Sequence, residues 1–281
     1  MTVSYKDVPT KTVDVDGVPF TYRQVVGAEG DVPLVLLHHL TAVLDDWDPA
    51  VVDGLASERH VITFDNRGVG GSGGMTPDSV EAMADDAVAF LEALGLGTVD
   101  LLGFSLGGMV AQVVAQQRPD LVRRLILAGT GPAGGKGGAS GAEVLQSAIQ
   151  QASAEGRHPK HILFFSPTPT SQAAADAFLG RLDGRTQLDR DTPVSNETIG
   201  AQLTALAKWE QGTSPAGLAT VAQPVLVVNG DEDIILPTIN SFELAQLLPN
   251  AQLSIYPDSG HGGIFQHHTL FVQQTLGFLR D

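Results

Sequence analysis

Residues 98–118 constrain this chain more than any other stretch. An apolar run, Val99–Phe104, passes straight into Gly103-Phe104-Ser105-Leu106-Gly107, and helical spacing takes over from Leu106 to Arg118. A strand that turns this sharply into a helix holds the central side chain out at the strand end. It leaves no room for side chains two residues to either side, and Gly103 and Gly107 meet that demand. The helix opening at Leu106 directs unpaired backbone N–H groups at the turn, so the Leu106 N–H is a candidate donor to an oxyanion. The pattern predicts Ser105 as a nucleophile aimed at a carbonyl carbon. With 32 glycines in 281 residues, composition alone yields on the order of 0.2 chance matches to Gly-x-Ser-x-Gly, so context has to decide. A second match, Gly70-Gly71-Ser72-Gly73-Gly74, is followed by Met75-Thr76-Pro77 where a helix should start. It is rejected as a nucleophile turn.

The flanking sequence keeps up an alternation of strands and helices. Residues 11–26 read as a hairpin about Asp16-Gly17. Val32–His38 and Arg59–Asp65 are nearly continuous apolar runs, as in strands buried on both faces. Ser79–Leu94 sets Val80, Met83, Ala87, Phe90, Leu91 and Leu94 on one helical face, and a strand at Leu121–Ala128 follows the Leu106–Arg118 helix. This spacing predicts an α/β fold with a mostly parallel, doubly wound sheet. The rhythm breaks at Gly129. Residues 129–141 are glycine-rich and read as a flexible linker, and from Ala142 to about Gly217 the pattern is helical without strands. Strand character resumes at Pro224–Asn229. A helix is expected from about Pro237 to Leu248, a strand at Gln252–Tyr256 and a last helix from His268 to Leu279. The expected organisation is a core of residues 1–132 and 217–281, interrupted by a linker and helical cap, or lid, over 133–216.

Composition narrows the function classes. A formal net charge of −16 argues against nucleic acid or an anionic membrane surface as a partner and reads as solubility. The chain has no cysteine, which removes disulfides, thiolate catalysis and cysteine-based metal sites. There is no run of 18 apolar residues, and the N-terminus lacks a signal-peptide core, so a soluble cytoplasmic protein is expected.

A serine hydroxyl is a weak nucleophile until a base and an orienting group activate it. Both are expected in loops at the carboxyl ends of later strands, the edge where Ser105 lies. The strand Val225–Asn229 ends in Gly230-Asp231-Glu232-Asp233-Ile234-Ile235-Leu236-Pro237. The strand Leu253–Tyr256 ends in Pro257-Asp258-Ser259-Gly260-His261-Gly262-Gly263. One loop carries carboxylates and the other a histidine. Together with the elbow at Ser105 and an Asp65-x-Arg67-Gly68-x-Gly70 turn, these motifs resemble, over essentially the whole chain, the α/β-hydrolase-fold enzymes. The branch they are most similar to is that of serine esterases and cofactor-free haloperoxidases. The resemblance implies Ser105 as nucleophile, His261 as base and Asp233 as acid. Its spacing puts the acid three residues after the loop glycine and four before the proline, which favours Asp233 over Asp231. It also implies the Leu40 N–H as second oxyanion donor and a chemistry that needs no cofactor or metal.

One departure stands out. A His-Gly pair usually follows the third strand in this family, and here the pair is His38-His39, followed by Leu40-Thr41. His39 either touches the substrate or the oxyanion loop, or is a tolerated variant packed away. Trp47 either lines the pocket or packs beneath its loop. In the insertion, Ile162, Leu163, Phe164, Phe165 and Phe178 exceed what a small separate core can hide, so Phe164 and Phe165 are candidate substrate contacts, with the rest packing between cap helices. His60, His158, His161, His267 and His268 read as ordinary surface or packing histidines. A serine nucleophile makes an acyl-enzyme, so hydrolysis of small, fairly apolar carboxylic esters or lactones is expected. Carbon–carbon bond hydrolysis, perhydrolysis and ligand sensing on the same fold are the alternatives.

Overall fold

The apolar runs assemble into one eight-stranded sheet, seen in a computed structural model that describes residues 3–27, 32–136, 141–185, 190–212 and 215–280. The strands are β1 (Lys11–Val15), β2 (Val18–Val25), β3 (Leu34–Leu37), β4 (Val61–Phe64), β5 (Val99–Phe104), β6 (Val122–Ala128), β7 (Val225–Gly230) and β8 (Ala251–Tyr256). Their order across the sheet is β1-β2-β4-β3-β5-β6-β7-β8. β1 and β2 form the hairpin expected about Asp16-Gly17, and β2 runs antiparallel to β4. Every pair from β4 to β8 is parallel. β3, β4, β5 and β7 are buried at every position. Burial on both faces explains why these segments are continuous apolar runs and do not alternate.

Three helices sit between the early strands: α1 (Pro49–Ala56), α2 (Val80–Ala93) and α3 (Leu106–Gln117). The insertion contributes α4 (Gly141–Glu155), α5 (Lys160–Leu163), α6 (Pro169–Leu182) and α7 (Asn196–Glu210). α8 (Pro215–Leu218), α9 (Ile239–Leu247), α10 (Gly263–Gln266) and α11 (His268–Arg280) complete the chain. Two apolar clusters cover the two sheet faces. One gathers Met83 and Phe90 of α2, Val110 of α3 and Leu244 of α9. The other gathers Val51 and Leu55 of α1 with Phe271 and Leu279 of α11. Each such side chain contributes about 1.5–3 kcal/mol on burial, and the Phe90 ring also stacks on Phe64 at 4.0 Å.

α1 was not expected from the sequence, although its start is signalled there. Asp48 caps it by accepting from the Ala50 N–H at 2.9 Å, Pro49 opens its first turn, and Val51, Val52 and Leu55 form its buried face. Among the described residues, 141–212 are helical or irregular, apart from one bridge that pairs Phe165 with Ser259. Of the glycine-rich linker, residues 137–140 lie outside the described residues. Among the described residues no helix is long and apolar enough to cross a membrane.

Candidate active site

The turn after β5 has the geometry its glycines require. Ser105 sits at φ +58° and ψ −118°, immediately before α3. A side chain at Gly103 would place its Cβ 2.3 Å from the Gly107 carbonyl oxygen. One at Gly107 would lie 2.2 Å from the Leu37 carbonyl oxygen. The strained backbone is held by bonds around it: the Ser105 N–H donates to Ala128 C=O at 2.9 Å, and the Ser105 C=O accepts from Thr130 Oγ1 at 2.9 Å and Gly108 N–H at 2.8 Å. Such over-determination is what lets a non-glycine residue persist at positive φ. Ser72, in the rejected second match, does something different. Its buried hydroxyl donates to Asp65 C=O at 2.8 Å and accepts from the Thr21 N–H at 2.9 Å, fastening the β4 loop to β2.

The loops after β7 and β8 bring one carboxylate against one imidazole. Asp233 Oδ2 lies 2.7 Å from His261 Nδ1, with both residues buried. Asp233 Oδ1 accepts from the Ile235 and Leu236 N–H groups at 2.8 and 3.0 Å, which fixes the carboxylate plane. The carboxylate contact requires a proton on Nδ1, so in the neutral ring the lone pair lies on Nε2. Asp231 is exposed and accepts from the Ser259 N–H at 3.1 Å, so it ties the two loops together and does not reach His261. The insertion also grips the histidine loop: the Gly262 N–H donates to Phe164 C=O at 2.9 Å.

Ser105 and His261 share the wall of one cavity of about 310 Å³. Its floor includes His39, Leu40, Thr41 and Leu106. Its sides come from the insertion: Leu145 and Ile149 of α4, Leu163 of α5 with Phe164 after it, and Ile199, Leu203 and Leu206 of α7. Of the candidate substrate contacts, His39 and Phe164 line this cavity. Trp47 and Phe165 do not. The Trp47 ring is buried beneath the loop, 5.6 Å from His38 and 6.5 Å from Phe265. Phe165 forms the bridge to Ser259, and its ring packs at 5.7 Å on Phe178. Phe164, the C-cap of α5, lies at the cavity wall, whereas Phe165 does not line the cavity. His158, read from the sequence as an ordinary surface or packing histidine, stands at the cavity wall with Lys160 and the α7 face, which the sequence reading did not single out.

Charged contacts pin the insertion to the core. Lys160 pairs with Asp46; burial pushes the Asp46 carboxyl up, but the ammonium outweighs it and holds the pKa down at about 2. Arg181 grips the fully buried Asp48 through two bonds of 2.8 and 2.6 Å. Asp65 behaves oppositely. Its carboxyl accepts from Thr21 Oγ1 at 2.8 Å and the Leu44 N–H at 3.0 Å, and Asp191 shares that N–H at 3.3 Å. Burial first, and then the neighbouring Asp191 carboxylate, raise the Asp65 pKa well above the ordinary range. A raised folded-state pKa means stability that is complete below the usual carboxylate value of about 3.9 and is lost as pH rises through the folded value. Asp191→Asn removes one of the two causes. Its melting temperature is expected to fall less with rising pH than that of the wild type. At pH 8 it should melt a few degrees higher, at roughly 2–4 °C per kcal/mol for a chain of this size. Melts from pH 5 to pH 9 check this, and a steeper fall in the variant would show that Asp191 stabilises Asp65.

A family model described as alpha/beta hydrolase fold matches residues 32–268. An alpha/beta hydrolase fold protein from Chitinophaga pinensis superposes with a TM-score of 0.89 at 41% identity, covering 99% of each chain. A poly(3-hydroxyalkanoate) depolymerase of Ectopseudomonas oleovorans is 30% identical over 260 residues, 89% of this chain and 85% of that one. A 2-hydroxymuconate semialdehyde hydrolase of a Pseudomonas species is 28% identical over 261 residues, 89% of this chain and 87% of the other.

Proposed function

The chain belongs to the α/β-hydrolase-fold family and is a hydrolase, and from that premise we propose that it cleaves small, fairly apolar carboxylic esters or lactones through an acyl-enzyme on Ser105. The observation that carries this reading is the cavity: Ser105 and His261 both line a wall that is otherwise mostly leucine and isoleucine. At about 310 Å³ it lies at the small end of ligand sites. Its lining favours an apolar acyl or alkyl group, and the ammonium of Lys160 at its edge is already neutralised by Asp46.

The chemistry follows from the proton positions. His261 Nε2 takes the Ser105 hydroxyl proton as Oγ attacks the carbonyl carbon. Asp233, fixed against Nδ1, compensates the imidazolium that forms. The Leu106 and Leu40 N–H groups receive the oxyanion. The protonated imidazole then gives its proton to the leaving alkoxide, and water, deprotonated by the same Nε2, releases the acid and restores the serine. The insertion, read as a lid over 133–216, supplies the apolar side of the cavity through α4, α5 and α7.

The test is a chain-length series of p-nitrophenyl esters with a small lactone panel, beside labelling of Ser105 by an organophosphonate. Turnover on short or medium acyl chains with labelled Ser105 is the expected result. Labelling without turnover on any ester or lactone overturns the substrate class. Leu203 is expected to limit acyl length, since it faces the cavity from α7. Leu203→Trp should shift the preferred chain shorter by at least two carbons. An unchanged profile would place the acyl group elsewhere.

A further inference from the structure

The loop that carries Leu40 closes as a turn, with the Ala42 N–H donating to His39 C=O at 3.2 Å. Its third residue, Thr41, sits at φ +65°. That position in such a turn ordinarily takes glycine or asparagine, and a β-branched residue there is strained. The strain is opposed at both ends of a single peptide unit. The Leu40 C=O accepts from His39 Nδ1 at 2.7 Å, and the Thr41 N–H donates to Gln202 Oε1 at 2.8 Å. His39 is the residue that replaces the usual glycine. Its other nitrogen, Nε2, is buried without a partner among the described residues, as befits a neutral ring whose proton is on Nδ1; burial, and then Lys160, lower the His39 pKa to about 3.

Gln202 belongs to α7, and its placement is not incidental. Thr198, Gln202, Ala205 and Trp209 are buried and recur at the spacing of one helical face. Three of them hydrogen-bond to core loops: Thr198 Oγ1 to Gly68 C=O at 2.7 Å, Gln202 to Thr41, and Trp209 Nε1 to Gly131 C=O at 3.2 Å. The adjacent face, with Ile199, Leu203 and Leu206, lines the cavity. α7 is thus docked along its whole length while forming the substrate wall.

We propose that His39 and Gln202 are positioning residues that clamp the Leu40–Thr41 peptide from opposite sides and so aim the Leu40 N–H at the oxyanion. The docked α7 helix thereby assembles the oxyanion hole. The inference rests on the acyl-enzyme reading above. It gives the His-His departure a role without contact between the imidazole and the reacting atoms.

The test compares wild type with Gln202→Met, which keeps the length of the side chain and removes its acceptor, and with Gln202→Glu, which keeps an acceptor. Losing an oxyanion donor outright costs roughly 100- to 1000-fold in kcat, so loosening one is expected to cost about 10- to 100-fold. In Q202M, kcat and the rate of organophosphonate inactivation should fall together by that factor, with KM changed less than 3-fold and Q202E recovering most of the loss. In a Thr41→Gly background, where positive φ carries no strain, Q202M should cost less than about 3-fold relative to T41G alone. H39A should also lower kcat, and with Q202M the losses should be less than multiplicative. If wild type labels at Ser105 and turns over esters but Q202M changes only the melting temperature, the clamp is wrong and the function stands. If wild-type Ser105 neither labels nor is needed for turnover, both readings fall together.

Discussion

Ser105→Ala is expected to lower kcat on the best ester by about 10⁴- to 10⁶-fold, with KM within a few-fold of wild type. The size of the loss follows from its kind. The mutation removes the atom that forms the covalent bond, while the oxyanion donors and the cavity that binds the ground state remain. Residual rate over water should therefore survive and should no longer respond to organophosphonate. The fold should not change. Ser105 makes no side-chain cap bond to α3, and the bonds that hold the turn run through its backbone N–H and C=O. A circular dichroism melt beside the kinetics separates lost chemistry from lost structure. Near-wild-type turnover in a folded S105A would remove the serine from the mechanism, leaving His261 and Asp233 as a base in search of a water.

How much of this was legible in the sequence depends on how local the physics is. The elbow was legible because two steric clashes, each within four residues or against the adjoining strand, demand Gly103 and Gly107. The acid and histidine loops were legible because each follows a recognisable strand at the same sheet edge. The hairpin about Asp16-Gly17 and the burial of β3, β4, β5 and β7 followed from turn chemistry and from unbroken apolar runs. The cavity wall was not. α7 has a weak apolar face, and which of its two neighbouring stripes meets substrate depends on contacts to loops distant in sequence, made by Thr198, Gln202 and Trp209. The aromatic character of Trp47 and Phe165 announced burial without saying against what. His39 could be seen as a departure from glycine, but its role hangs on the φ of Thr41 and on a glutamine far along the chain.

The same reasoning separates the two aspartates of the acid loop and leads to the second large effect. Asp233→Asn is expected to reduce kcat at neutral pH by about 10⁴-fold, the size of loss known when an asparagine replaces a triad acid. The substitution preserves shape. An amide oxygen still accepts from the Ile235 and Leu236 N–H groups now bound by Oδ1. The amide NH₂ then faces His261 Nδ1 at the present 2.7 Å contact. A donor there forces the imidazole to accept on Nδ1 and carry its proton on Nε2, so the ring can no longer take the serine proton. Substrate binding is untouched, and the loss should lie in kcat. Asp231→Asn, by contrast, should stay within a few-fold of wild type, because Asp231 is exposed and its side-chain contact with the Ser259 N–H is one an amide oxygen also makes. A pair of variants two residues apart thus reads the tautomer of one histidine. The reverse ranking, with D231N the inactive enzyme, would mean that the loop rearranges when substrate binds and that Asp231 becomes the partner of His261.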